Sequence, residues 1–322
     1  MRSARRRSIA FEVAFMSRET PFLVKGIVSV LQTPFDWQNL IDWQSYERLI
    51  EDAISSEGNG FLTPAVASEV IHLTTEEREQ IIRFVVSRTK GQVPLIVGAS
   101  GTTIDQCRHF AQLAETVGAD AYLVAIIPEL YRQPDRLVPF FQAVASQTCL
   151  PLIIQDLQFD GPGLCLNLVK QLVDGLPTLA GMKIETVPAG PKYTDIRQAY
   201  GSEFFIAGGW AVPQMLEALD RGVDAMIPES SMVRVYSKIF RAYTSGNREH
   251  AKHLFWYLLP ILSFANQDLE TSITFFKRLL VRKRIFRTAT MRYSYIFDAY
   301  QERIADELID RYLEIEAEEN GI

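Results

Sequence analysis

From Gly26 onward, short apolar runs alternate with longer stretches whose apolar residues recur three and four apart, with Gly, Pro, Asn or Asp at the joints. The runs predict strands over 26–32, 60–66, 94–98, 121–126, 150–155, 180–184, 204–207 and 225–227. The wider spacing predicts helices over 43–57, 75–88, 103–117, 135–147, 165–174, 195–200 and 213–221. Thr74-Thr75-Glu76-Glu77 ahead of Ile81-Ile82 is a helix start, with capping hydroxyls and early acids. Strands apolar on both faces that alternate strictly with helices read as parallel βα units. Eight such units close into a (β/α)8 barrel. After Pro228 the strands stop, and 232–246, 248–265, 269–282 and 294–318 are helical in pattern, broken at Gly246-Asn247. The expected organisation is an α/β chain with a flexible tail over 1–20, a barrel over 21–231 and a C-terminal helical region over 232–322.

Composition narrows the class. The 322 residues, 48% hydrophobic, suffice for one large core. Thirty-nine acidic against 33 basic residues give a formal charge of −6, so the basic field of a nucleic-acid binder is missing. Cys107, Cys149 and Cys165 are too few and too scattered for a disulfide framework or a metal cluster, which suits a reducing cytoplasm. No apolar run approaches the roughly 18 residues of a membrane helix. Arg2, Arg5, Arg6 and Arg7 precede an apolar stretch that Glu12 interrupts, so the start reads as a tail rather than a leader, with Met16 as a second candidate start.

The chemistry centres on Leu179-Ala180-Gly181-Met182-Lys183-Ile184-Glu185. In a strand, Lys183 and Glu185 share one face while Met182 and Ile184 take the other. A lysine in partly apolar surroundings has more of the neutral amine that attacks a ketone and forms a Schiff base. An edge-strand lysine facing solvent is the bland alternative. Barrel chemistry sits at the C-terminal ends of strands, which here hold Ala65-Val66-Ala67-Ser68-Glu69, Gln155-Asp156, Lys183-Ile184-Glu185 and Ile227-Pro228-Glu229-Ser230. Lys183 is the only lysine among them. Glu69, Asp156, Glu185 and Glu229 are candidate proton carriers, with Glu185 first and Asp156 second. Ser68 and the amides beside it are candidates for a substrate carboxylate, against an ordinary capping serine. Gly98–Thr103 and Gly208-Gly209 read as tight turns. The four histidines, His72, His109, His250 and His253, show no metal-ligand spacing. No metal and no cofactor is expected.

Several of these motifs together resemble the dihydrodipicolinate synthase/N-acetylneuraminate lyase family of lysine-dependent 2-oxo-acid lyases. Gly26-Ile-Val-Ser-Val-Leu-Gln-Thr-Pro-Phe35 is similar to its first strand and Thr-Pro-Phe turn. Glu69, Leu73-Thr74 and Glu77-Arg78 resemble its Gly-Glu…Leu-Thr…Glu-Arg pattern. Val93–Gly98, Gly118-Ala119-Asp120, Leu150-Pro151 and Gly181-Met182-Lys183 keep the register. The resemblance implies a barrel with a C-terminal helical extension, a homo-oligomer (dimer or tetramer), and Lys183 as the Schiff-base lysine.

The departures bear on function. Val66 and Ala67 stand where the family's loop has two threonines, and Ser68 where it has its second glycine. Its catalytic tyrosine falls on Gln155 and the asparagine after it on Asp156; the following arginine falls on Asp160. Leu130 and Tyr131 lie nearest its Pro-Tyr-Tyr tyrosine. The tyrosine–threonine relay is therefore absent. The expectation is a lyase acting on a 2-oxo acid, an aldolase or dehydratase of a 2-oxo-3-deoxy sugar acid. Lys183, Glu185 and Asp156 would be catalytic, and Ala67, Ser68, Gln155, Ile227 and Ser230 would bind substrate. The alternative is a catalytically impaired family member serving as a binding or scaffold protein. The expected partner is the small-molecule acid, with neither nucleic acid nor membrane.

Overall fold

A computed structural model describes residues 22, 24–210, 212–292 and 294–320, so the tail expected over 1–20 lies outside the described residues. Eight short segments rich in β-branched and other apolar residues form strands: β1 (Gly26–Val30), β2 (Gly60–Thr63), β3 (Leu95–Gly98), β4 (Ala121–Ala125), β5 (Leu152–Gln158), β6 (Leu179–Thr186), β7 (Phe205–Gly208) and β8 (Ala225–Met226). Each pairs in parallel with its neighbour in sequence, and Gly26 and Ile27 pair with Ala225 and Met226 to close the barrel. Period-2 alternation divides the apolar residues. Val28, Val30, Leu62, Ile96, Leu123, Ile153, Phe205 and Ile227 fill the interior, while Ile27, Phe61, Val97, Tyr122, Ile154 and Ile206 face the helices.

Helices cover the outside in the expected alternation: α1 (Trp43–Ser55), α2 (Thr75–Thr89), α3 (Ile104–Thr116), α4 (Pro128–Arg132), α5 (Leu137–Ala145), α6 (Leu166–Gly175), α7 (Gly190–Tyr200) and α8 (Met215–Asp220). The start of α2 is a reciprocal cap: Thr74 Oγ1 accepts from the Glu77 N–H at 3.2 Å, and Glu77 Oε2 accepts from the Thr74 N–H at 2.9 Å. One helix was expected over 135–147. Pro128 and Pro134 instead each open a turn, so a short α4 and a 3₁₀ turn (Pro134–Arg136) precede α5.

The main departure is the length of β5 and β6. Gln155-Asp156 read as a strand end, yet the ladder continues through Gln158 paired with Thr186. The polar side chains of Gln155 and Asp156 have partners of their own, described below. The paired arms of β5 and β6 thus rise past the mouth of the barrel.

Four helices follow the barrel: α9 (Val233–Thr244), α10 (Arg248–Ala265), α11 (Leu269–Arg282) and α12 (Ala299–Asn320). They are joined to the barrel by buried polar contacts as well as apolar packing. Lys277 of α11 reaches the fully buried Glu69 carboxylate, and the N–H of Arg292, on the segment between α11 and α12, donates to the same group at 2.8 Å. The Arg292 guanidinium holds Glu77 in a two-point grip and lies 4.4 Å from the Phe35 ring centre. The C-terminal chain is thereby strapped across the loops that follow β1 and β2. Among the described residues no helix is long and apolar enough to cross a membrane.

Candidate active site

The alternation of β6 turns Met182 and Ile184 toward the helices and Lys183 and Glu185 inward. Lys183 lies in register with Gln155 on β5 and Ala207 on β7. Its Nζ is 3.0 Å from Glu185 Oε1, with the two side chains only 4% and 6% exposed. Two further donors converge on that carboxylate: the Trp210 N–H meets Oε1 at 2.7 Å, and Gln155 Nε2 donates to Oε2. Gly209 is what lets the β7–α8 loop come this close. A Cβ there would fall 2.1 Å from Glu185 Oε1 and 2.7 Å from Lys183 Cε.

Lys183 and Glu185 open into a cavity of about 480 Å³, counted with its open mouth. Ala67 and Ile227, two of the residues expected to bind substrate, line it beside Val66. Val66 and Ala67 begin a 3₁₀ turn (Val66–Ser68), whose first N–H groups have no acceptor within the turn. Gln155 joins the site through Glu185.

Ser68 and Ser230 were expected at the substrate and are placed elsewhere. The Ser68 hydroxyl donates to the Leu31 carbonyl at 2.6 Å and accepts from the Ala65 N–H at 3.0 Å. The Ser230 hydroxyl donates to the Val30 carbonyl at 2.6 Å. Both hydroxyls brace loops of the barrel mouth, so of the candidates expected at a substrate carboxylate the Ser68 side chain is engaged elsewhere.

Asp156 needs the same correction as a candidate proton carrier. It follows Gln155 in the strand and so points to the opposite side of β5, away from Lys183. There it accepts from Tyr131 Oη at 2.7 Å, the Leu164 N–H at 3.0 Å and Lys192 Nζ at 2.7 Å. The turn after β5 is folded around it: Gly163, at φ 66°, passes so near that a Cβ would lie 2.4 Å from Oδ1. Burial and the facing Asp156 carboxylate push the Tyr131 hydroxyl far above its ordinary value. The tyrosine nearest the family's Pro-Tyr-Tyr motif is thus engaged outside the cavity.

Of the other acids, Glu69 is held by Lys277 and Arg292 as described. Burial pulls Lys277 down to about 8, with Glu69 opposing the shift. Glu229 does line the cavity. Its Oε2 accepts from Gln32 Nε2 at 2.8 Å and from the Ser231 N–H at 2.5 Å, and burial pushes its carboxyl above the usual range. Glu185 is therefore the acid in contact with the lysine.

Sequence reasoning missed the apolar walls. Leu157 and Phe159 from β5 and its loop, Trp210 from the β7–α8 loop, and Leu269 with Ser272 from α11 all line the cavity. Leu157 and Phe159 share the parity of Gln155, a signal that becomes readable once β5 is known to continue. Leu269 and Ser272 come from helices expected to form an appendage, and no local pattern announces their return to the mouth.

Comparison with known proteins follows the same outline. The chain is 28% identical over 247 residues to a 4-hydroxy-tetrahydrodipicolinate synthase of Bartonella quintana (strain Toulouse), covering 74% of this chain and 82% of that protein. It is 26% identical over 242 residues to a synthase of the same description from Aquifex aeolicus (strain VF5), covering 73% and 80%. Among solved structures, dihydrodipicolinate synthase from Rhodopseudomonas palustris superposes with a TM-score of 0.82 at 21% identity, over 89% of this chain and 97% of that one. A sialic acid aldolase from Ruminococcus gnavus gives 0.81 at 17%, over 92% and 99%. At those identities the structural likeness is one of fold. A model of the dihydrodipicolinate synthetase family matches residues 23–292, which takes in the barrel and the α11 helix over its mouth. The chain accordingly belongs to the dihydrodipicolinate synthetase family, a family of class I lyases.

Proposed function

We propose that this chain is a lyase that binds a 2-oxo acid as an imine on Lys183, with Glu185 taking and returning the protons of the reaction. The observation that carries the reading is the buried 3.0 Å contact between the Lys183 amine and the Glu185 carboxylate at the mouth of the barrel. A proton passed across that contact leaves a neutral amine beside a carboxylic acid. The amine attacks the C2 ketone, and Glu185 returns its proton to the hydroxyl that leaves as water. The resulting iminium draws electrons from a bond to C3, either a C–H bond, whose proton Glu185 accepts, or the C3–C4 bond in aldol cleavage, in which Glu185 accepts the C4 hydroxyl proton and C4 leaves as an aldehyde. The substrate carboxylate would be received by the N–H groups of Val66 and Ala67, residues that line the cavity at the start of the 3₁₀ turn.

A structure similar in fold is described as a catalytic lysine mutant of a sialic acid aldolase. The proposal gives Lys183 the corresponding role. A 2-oxo-3-deoxy sugar acid stays within this reading as a substrate, although Gln155 is hydrogen-bonded to Glu185, Asp156 faces outward and the Ser230 hydroxyl donates to the Val30 carbonyl. The homo-oligomer implied by resemblance stays part of this reading and is checked by analytical ultracentrifugation. The direct test of the function is exchange of the C3 protons of pyruvate in D₂O, followed by proton NMR. Exchange that disappears in Lys183→Met supports the reading. No exchange with any 2-oxo acid would leave the binding or scaffold role.

A further inference from the structure

Beyond the reacting pair, the cavity is walled by groups that offer few hydrogen bonds. Val66, Leu157, Phe159, Trp210 and Leu269 face it, and apart from Lys183 no cationic side chain among the described residues lines it. Phe159 and Trp210 form a tilted pair, ring centres 4.4 Å apart with 47° between planes. Phe159 remains 44% exposed, so one side of the pair is uncovered. The main chain that carries the indole is held in place: Trp210 has φ 50°, a conformation uncommon for a residue with a side chain, and its backbone N–H donates to Glu185. The aromatic pair is therefore built onto the same carboxylate that touches the lysine. A polyhydroxylated chain entering here would meet the Glu229 and Ser272 side chains but otherwise mainly apolar walls, so most of its water contacts would go unreplaced, which is unfavourable. A flat apolar group would gain ring contacts instead.

We propose that the part of the substrate beyond C3 is a flat apolar group, an aromatic ring above all, seated against Phe159, Trp210 and Leu269. The inference rests on the Schiff-base reading and specifies its substrate class. In the condensing direction, C3 of the enamine formed from pyruvate on Lys183 bonds to the carbonyl carbon of an aromatic aldehyde. The carbonyl electron pair moves to its oxygen, which takes the proton Glu185 removed from C3. Hydrolysis of the imine consumes the water released when it formed. The product is a 4-aryl-4-hydroxy-2-oxo acid, and cleavage is the reverse.

The experiment measures condensation of pyruvate with benzaldehyde and with glyceraldehyde, beside borohydride trapping of pyruvate on the full chain. The expected result is a trapped adduct together with a kcat/KM at least tenfold higher for benzaldehyde. That ratio should fall at least tenfold in Phe159→Ala, whose exposed position makes misfolding a minor concern, and likewise in Trp210→Leu. A trapped adduct with glyceraldehyde preferred, or with the ratio unchanged in both variants, overturns the proposal while leaving the Schiff-base reading intact. Absence of any adduct removes both.

Discussion

Glu185→Gln isolates what the carboxylate does, because the substitution keeps the shape of the side chain and the surroundings can accept it. Three donors meet Glu185: Lys183 Nζ at 3.0 Å and the Trp210 N–H at 2.7 Å on Oε1, and Gln155 Nε2 on Oε2. A glutamine that keeps its oxygen toward Lys183 and Trp210 turns its NH₂ toward Gln155. Gln155 answers by rotating its own amide to present oxygen. What is lost is charge. At 3.0 Å the gross attraction is roughly 5 kcal/mol for an effective dielectric of about 20, part of which offsets the cost of burying both groups. Without it the neutral, attacking amine is no longer opposed by a buried countercharge, so borohydride trapping should be retained. Imine formation should therefore survive at neutral pH. Turnover should not: loss of a positioned proton carrier costs about 10²–10⁴ in kcat, or roughly 3–5 kcal/mol. The assay compares trapping and steady-state turnover of wild type and Glu185→Gln across pH. Turnover within threefold of wild type, or loss of trapping, would refute the reasoning.

Other positions extend the test. Gly209→Ala puts a methyl group 2.1 Å from Glu185 Oε1, so the carboxylate or the loop must shift, and kcat should drop at least tenfold with little change in melting temperature. Asp156→Asn should do the converse: trapping at Lys183 persists while stability falls by about 2–4 kcal/mol in denaturant titration, because the partly buried Lys192 loses its countercharge. Glu69→Gln strands the fully buried Lys277 and should cost about 3–5 kcal/mol by the same measurement. Lys277 also sets a pH dependence. Its folded value of about 8 lies below the ordinary 10.5, so between the two the unfolded chain binds more protons and stability rises as pH increases through that window. A thermal melt series from pH 8 to pH 10 should show the rise in wild type and lose it in Lys277→Met.

The barrel was legible because its signals are local. Each strand is a short apolar run, each helix an amphipathic one, and strict alternation leaves few ways to bury both strand faces. The Lys183–Glu185 pair was legible for the same reason, since strand parity alone puts the two on one side. Asp156 shows where local reading fails. It was read as lying at a strand end facing the mouth, but the strand continues, and parity then sends it outward to Lys192 and Tyr131. Ser68 and Ser230 look like ligands in sequence because a hydroxyl at a strand end can serve either way, and only the Leu31 and Val30 carbonyls decide the matter. The contribution of Leu269, Ser272 and Lys277 depends on a C-terminal segment folding back over the barrel, a long-range contact with no periodic trace. Trp210 acts partly through its backbone N–H, which any residue but proline would supply, so its identity gave no hint of its bond to Glu185.

The central claim is that Lys183 is the amine that carries the substrate. Incubation with pyruvate, reduction with borohydride and proteolysis, followed by mass spectrometry of the peptides, tests it most directly. The account predicts one reduced adduct, on the peptide containing Lys183, and none in Lys183→Met. An adduct on another lysine, Lys277 or Lys192 included, with the Lys183 peptide unmodified, would contradict it.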